Sequence, residues 1–254
     1  MTDQGPIRFG VAGMTSDHVW EMGDGLAALA GVELVAGADP HSELTERAAG
    51  RWGLGATYAD HRAMVAAERL DAVLVCCDNA AKADVVEAAA ERRVHVYQDK
   101  PMAATLAQAD RIARAAVASG ITLMVAYHTA FRETYAETKG LLRSGAIGTP
   151  YLARGVIGHS GPVEYGCSPF FQEWLFDEER NGGGAFVDEA CYRLNEVVDF
   201  LGPIAEVSGF AAQTGHRPYL PAGVEDNAVA ILSFASGALG VLDAKWGEVG
   251  EAPV

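Results

Sequence analysis

Through the first half of the chain, short runs that are apolar at every position alternate with longer stretches whose apolar residues recur every three or four positions. "IRFGVAG" (7–13) precedes "DHVWEMGDGLAALA", "VELVAGAD" (32–39) precedes "SELTERAAGRW", and "DAVLVCC" (71–77) precedes "KADVVEAAAERR". "VHVYQ" (94–98) then precedes "TLAQADRIARAAVASG", and "ITLMVAY" (121–127) closes the series. Strands without a polar face, separated by amphipathic helices, belong to a parallel sheet covered on both sides. The pattern predicts a doubly wound α/β domain over residues 1–126.

From residue 127 the texture changes. A helix ("ETYAETKGLLRSG") and a strand ("YLARGVIG") lead into a loop rich in glycine and aromatic residues and then another helix. "IAEVSGFAAQ", "NAVAILSF" and "GALGVLDAKW" follow in succession, the last two separated by Ser236-Gly237 as in a hairpin. Residues 127–254 are therefore expected to form an α+β domain with an open, largely antiparallel sheet. At roughly 150 residues per domain, a length of 254 agrees with two domains.

Composition narrows the partners. A formal charge of −15 argues against nucleic acid, which needs clustered cations, and points to small molecules. No apolar run reaches the roughly 18 residues of a membrane span, and "MTDQGPIRF" lacks the basic start and apolar core of a signal peptide, so the expected location is the cytoplasm. Four cysteines, two of them adjacent, form no Cys-x-x-Cys, and seven histidines show no ligand spacing. Neither a disulfide framework nor a protein-bound metal is expected.

The candidate chemistry lies at strand ends. After the first strand Gly13 stands as the tight-turn glycine of a dinucleotide site, with Thr15 and His18 in place of the second and third glycines. The hydroxyls of Thr15 and Ser16 add possible donors to pyrophosphate, while Asp17 adds unwelcome negative charge. Asp39, about twenty residues on, suits a ribose diol and favours NAD over NADP; its alternative is a turn-former before Pro40. Asn79 follows the strand "DAVLVCC" and reads equally as a cofactor contact or a helix cap. Lys100 ends the strand "VHVYQ", held by Pro101 through a bond expected to be cis, and its alternative is a solvated turn lysine.

The second constellation is "GGGAFVDEACYRLNEVVDFLG". At about 100° per residue, Val187, Ala190, Cys191, Leu194, Val197, Val198 and Leu201 form one apolar stripe. Asp188, Tyr192, Asn195 and Asp199 flank it, where they line a cleft or merely a helix margin. Glu189, Arg193 and Glu196 take the outer face, with Glu189 and Arg193 spaced to pair. Gly182 to Gly184 allow close backbone approach or serve as a flexible entry.

These residues together resemble the glucose-fructose oxidoreductase, inositol dehydrogenase and MocA family. Its Glu-Lys-Pro motif looks like "DKP" here, with Asp99 for Glu, and its Gly-Gly-Gly, Asp and His helix looks like Gly182 to Tyr192, preceded by the aromatic-acidic segment "WLFDEER". "SGAIGTPYLARG" and "VEDNAVAILSFASGALG" extend the resemblance along the chain. It implies a nicotinamide-binding Rossmann domain, a second domain whose open sheet builds homo-oligomer contacts, and hydride transfer to or from sugar-like or polyol substrates. Lys100 and Asp188 match the family's active-site lysine and aspartate. His159, Trp174 and Asn195 are assigned to substrate binding.

The family histidine is replaced by Tyr192. A phenol of pKa about 10 is a poor base for an alcohol proton, so His128 and His159, both at expected strand ends, are candidates beside it. The C-terminal sheet is also expected to have fewer strands than the family's. Two further readings stay open: an NAD-using lyase or epimerase without net redox, and a non-catalytic nucleotide-binding or regulatory protein.

Overall fold

The computed structural model describes residues 5–247. Packing divides the chain into two units, one running to Ala126 and taking in Ser168–Leu175, the other comprising Tyr127–Cys167 and the chain from Phe176 onward.

The first unit is built on β1 (Ile7–Ala12), β2 (Val32–Ala38), β3 (Ala56–Tyr58), β4 (Ala72–Val75), β5 (His95–Gln98) and β6 (Leu123–Val125). Their order is β3-β2-β1-β4-β5-β6 and every ladder is parallel. Helices α1 (His18–Ala27), α2 (Ser42–Trp52), α3 (His61–Ala67), α4 (Lys82–Glu91) and α5 (Leu106–Ser119) connect them. Val11, Leu74 and Val75 are fully buried because helices cover both faces, and this is why these strands read as unbroken apolar runs. The chain direction of the sheet reverses its order at β1 and β4, so the loops after these two strands open the crevice where such sheets bind ligands. The short β3 and α3 escape the hydrophobic pattern. β3 has only three residues, none fully buried, and α3 is two turns capped by Asp60, whose side chain accepts the Ala63 N–H.

In the second unit a 3₁₀ turn (His128–Phe131) leads to α6 (Glu133–Ser144) and β7 (Leu152–His159). The expected aromatic loop is instead three short helices, α7 (Pro162–Tyr165), α8 (Pro169–Leu175) and α9 (Glu178–Asn181), of which α8 belongs to the first unit. Helix α10 (Cys191–Leu201), entered through a π-helical turn at Phe186–Ala190, precedes β8 (Ile204–Ala212), β9 (Asn227–Phe234) and β10 (Leu239–Trp246). The sheet order is β7-β10-β9-β8, with β7 parallel to β10 and the other ladders antiparallel. Gly237, at φ +87°, turns the β9–β10 hairpin where Ser236-Gly237 predicts it. One face of the sheet packs Ala230, Leu232, Phe234 and Leu242 against Val197 and Leu201 of α10. Among the described residues no helix is long and apolar enough to cross a membrane.

Candidate active-site residues

In the first unit the turn after β1 is fixed by sterics. Gly13 has φ +78°, and a Cβ there would lie 2.5 Å from the Cys77 backbone nitrogen, so only glycine lets the β1 and β4 loops meet. Asp39, buried at the end of β2, braces that turn: Oδ2 accepts the Met14 N–H at 2.6 Å, and Oδ1 accepts the His41 N–H at 2.8 Å. The turn-forming alternative for Asp39 is thus part of its role. Thr15 and Ser16 are both buried, and the Ser16 hydroxyl donates to Asp99 at 2.8 Å, so it is already engaged within the protein. His18 Nδ1 lies 2.9 Å from the same Asp99 oxygen. Burial alone raises the Asp99 pKa, yet His18 and the ammonium groups of Lys82 and Lys100 outweigh it and hold the carboxyl well below the usual range. Asp17, expected to repel phosphate, accepts the Ser168 N–H at 2.6 Å and so ties α8 to this turn.

Helix α8 lays aromatic rings along the same loops, Phe171 at 5.4 Å from His18 and Phe170 at 5.0 Å from His41 between ring centroids. Trp174, expected to bind substrate, packs in this unit at 2 % exposure, and its buried indole N–H has no acceptor among the described residues. An unsatisfied buried donor near a glycine-only turn is chemistry that a dinucleotide's oxygens complete. These residues fit such a cofactor, which Gly13, Thr15, Asp39 and Trp174 would hold.

Lys100 is 4 % exposed, which removes the solvated-turn alternative, and the Lys100–Pro101 bond is cis as expected. Asn79, wholly buried, accepts from the Lys82 ammonium at 2.8 Å. Sequence reasoning passed over Lys82, the first residue of α4, where the local pattern is that of a solvated lysine.

In the second unit the glycine run seats the helix entry on a neighbour. Glu225 receives the N–H groups of Gly184 (2.8 Å) and Phe186 (2.9 Å) through its carboxylate and that of Ala185 (3.0 Å) through its carbonyl. A Cβ on Gly184 would lie 2.0 Å from the Glu225 carbonyl oxygen, so the run permits close approach and is no flexible entry.

The π-turn changes the helical wheel. One extra residue per turn rotates what precedes it relative to α10; Asp188 and Tyr192 are buried, and Val198, assigned to the apolar stripe, is 43 % exposed. Glu189 does not pair with Arg193 on an outer face. Arg193 bonds Glu196 at 2.8 Å, and Glu189 turns to His159 at 3.4 Å. Asp199 is engaged on the surface by Tyr135 and Lys139, away from any cleft role, and Asn195 is half-buried on α10.

Asp188 accepts the indole N–H of the fully buried Trp246 at 3.0 Å and stands 3.7 Å from His159 Nε2. Burial lowers the His159 pKa, but hydrogen bonding to Asp188 and Glu189 outweighs it and pushes the value up to about 9. The Gly161 N–H donates to His159 Nδ1 at 3.0 Å, which puts the proton of the neutral ring on Nε2, facing the two carboxylates. His159, Asp188 and Glu189 bring three ligand atoms within 4.8 Å of one another, and in the metal-free arrangement the Nε2 proton faces the two carboxylates. His128 meets Tyr192 edge to face at 4.8 Å between centroids, with Tyr127 at 6.3 Å on the same ring. Two imidazole groups thus stand near the helix, and His159 is the one oriented by a buried carboxylate.

The first unit's strand order, its glycine turn and the acid ending β2 define a dinucleotide-binding protein. Residues 7–127 match the model of the oxidoreductase family's NAD-binding Rossmann fold, and residues 135–253 match the GFO/IDH/MocA C-terminal domain. The chain belongs to the GFO/IDH/MocA family, and its first unit is the family's NAD-binding domain. It is 31 % identical to D-apiose dehydrogenase of Paraburkholderia graminis over 90 % of this chain and 56 % of that protein. Against myo-inositol 2-dehydrogenase of Thermotoga maritima the identity is 27 % over 75 % of this chain and 54 % of that protein. The chain thus spans about half the length of these curated relatives. The structure of the WlbA dehydrogenase from Bordetella pertussis, in complex with NADH and UDP-GlcNAcA, shares the fold with a TM-score of 0.86 at 24 % identity, covering 99 % of this chain and 70 % of that one.

Proposed function

We propose that this protein is an NAD(H)-dependent oxidoreductase that moves a hydride between nicotinamide and the carbon of a sugar-like or polyol hydroxyl or carbonyl group. The observation that carries the reading is the imidazole of His159 set against buried Asp188 in a protein whose other unit binds NAD. The names of the relatives, D-apiose and myo-inositol dehydrogenases, support the substrate class. Bound NAD supplies the hydride acceptor. Gly13, Thr15, Asp39 and Trp174 hold the dinucleotide, and Asp39 selects NAD by its charge. Lys100 polarises the substrate oxygen, Asp188 and Asn195 orient the substrate, and His159 takes the hydroxyl proton on Nδ1, in exchange for the bond from the Gly161 N–H, as the C–H bond breaks. His128 and Tyr192 wall the site.

Titration with NADH, followed by fluorescence, and product analysis over a panel of inositols and aldoses test this. Saturable binding is expected, with one NADH formed per alcohol oxidised. Product without cofactor consumption would indicate a lyase or epimerase, and binding without turnover a regulatory protein.

We further propose that the protein works in the cytoplasm as a homo-oligomer. The four cysteines form no disulfide among the described residues, which suits a reducing compartment. The sheet face turned away from α10 exposes Phe210 (90 %) and Ile231 (56 %), with Val229 and Leu239 beside them, a contiguous apolar strip of the kind that marks protein contacts. The double change Phe210→Asp with Ile231→Lys is expected to shift the mass by light scattering to a monomer. A concentration-independent monomer in the unaltered protein overturns the proposal.

A further inference from the structure

Two of the chain's four lysines, Lys82 and Lys100, are buried in the first unit, Lys82 completely and Lys100 to 4 % exposure. Lys82 begins α4, and its ammonium is enclosed by four oxygens: Asn79 Oδ1 at 2.8 Å and the carbonyls of Asp99 (2.8 Å), Lys100 (3.0 Å) and Pro101 (2.8 Å). Three of the four belong to consecutive residues of one turn. A buried ammonium is tolerated only where its donors are satisfied, and here its three protons are shared among acceptors that a free turn would leave to water. From the other side Ser16 and His18 hold the Asp99 carboxylate. The backbone of residues 99–101 is thus clamped by a point charge that reaches all three carbonyls, a geometry the planar guanidinium of arginine does not reproduce. This accounts for a lysine kept in the core of a chain that uses arginine nearly everywhere else.

We propose that Lys82 is a positioning residue for the reaction, its buried ammonium setting the carbonyls of residues 99–101 and thereby the place of the Lys100 side chain. The inference rests on the reading that Lys100 acts on substrate. Lys82 itself touches only the protein.

With four lysines, ¹⁵N-lysine labelling gives four Nζ signals, and selective substitution assigns them. In the unaltered protein the Lys82 Nζ protons are expected to exchange with water far more slowly than those of Lys139, which lies at the surface. Equal exchange overturns the clamp whatever any variant does. In Lys82→Met, or in Lys82→Gln if the first does not fold, the Lys100 signal is expected to shift or broaden while those of Lys139 and Lys245 stay in place. Turnover is expected to fall roughly a hundredfold, the cost of an ångström-scale misplacement, with KM and the NADH Kd within about threefold. An unmoved Lys100 signal overturns the proposal. So does full turnover in the Lys82 variant when Lys100→Met is inactive. If Lys100→Met keeps its turnover, the role of Lys100 fails instead, and the NMR result still decides whether Lys82 sets its position.

Discussion

Lys100→Met is expected to lower kcat by roughly a thousandfold, the scale of losing one preorganised charge at a reacting oxygen, and to leave the NADH Kd within about threefold. Methionine keeps an unbranched apolar stem of similar length, so the change removes the ammonium with little loss of packing. The backbone turn has its own supports in Lys82, Ser16 and His18, which the substitution leaves in place. Steady-state kinetics and fluorescence titration on the same preparation check the two parts. Turnover within about tenfold of the unaltered protein would remove Lys100 from the chemistry. A matching loss of NADH binding would make it a cofactor anchor.

The Rossmann-like unit was legible because its strands are buried on both faces, so apolar runs and helical periods alternate without interruption. β3 and α3 were not, because a three-residue strand carries too few positions to show a period. The same limit hid the interior of the π-turn. A wheel drawn at a constant angle places Glu189 outside, and only the extra residue at Phe186–Ala190 brings it to His159. Lys100 was found from its proline and its strand end. Lys82 was not, because a lysine at a helix start has the pattern of a solvated residue, and only long-range carbonyls from residues 99–101 make it a core group. Trp174 was found as an aromatic residue but given to the wrong unit, since nothing local shows that α8 returns to the first sheet.

The choice among proton carriers is decided by pH. A carboxylate-held imidazole with a pKa pushed up to about 9 is protonated on both nitrogens below that value, and above it Nδ1 is the base, the form that accepts the Gly161 N–H. Alcohol oxidation is therefore expected to rise with pH to a plateau above about 9, and carbonyl reduction, which needs the acid form, to fall over the same range. His159→Gln is expected to lose this limb and roughly a hundredfold or more in kcat, the scale of removing a general acid–base group. Asp188→Asn removes one of the two carboxylates that raise the pKa, so the limb is expected to move to lower pH as burial regains weight. The same charge pair acts on the fold. A raised pKa stabilises the folded state fully below the unfolded value of about 6.5 and loses that contribution as pH rises through about 9, so His159→Gln should flatten the thermal stability profile across that window. If instead the kinetic limb survives in His159→Gln and disappears in Tyr192→Phe, the proton passes through the phenol, and His159 serves only to neutralise the two acids beside it.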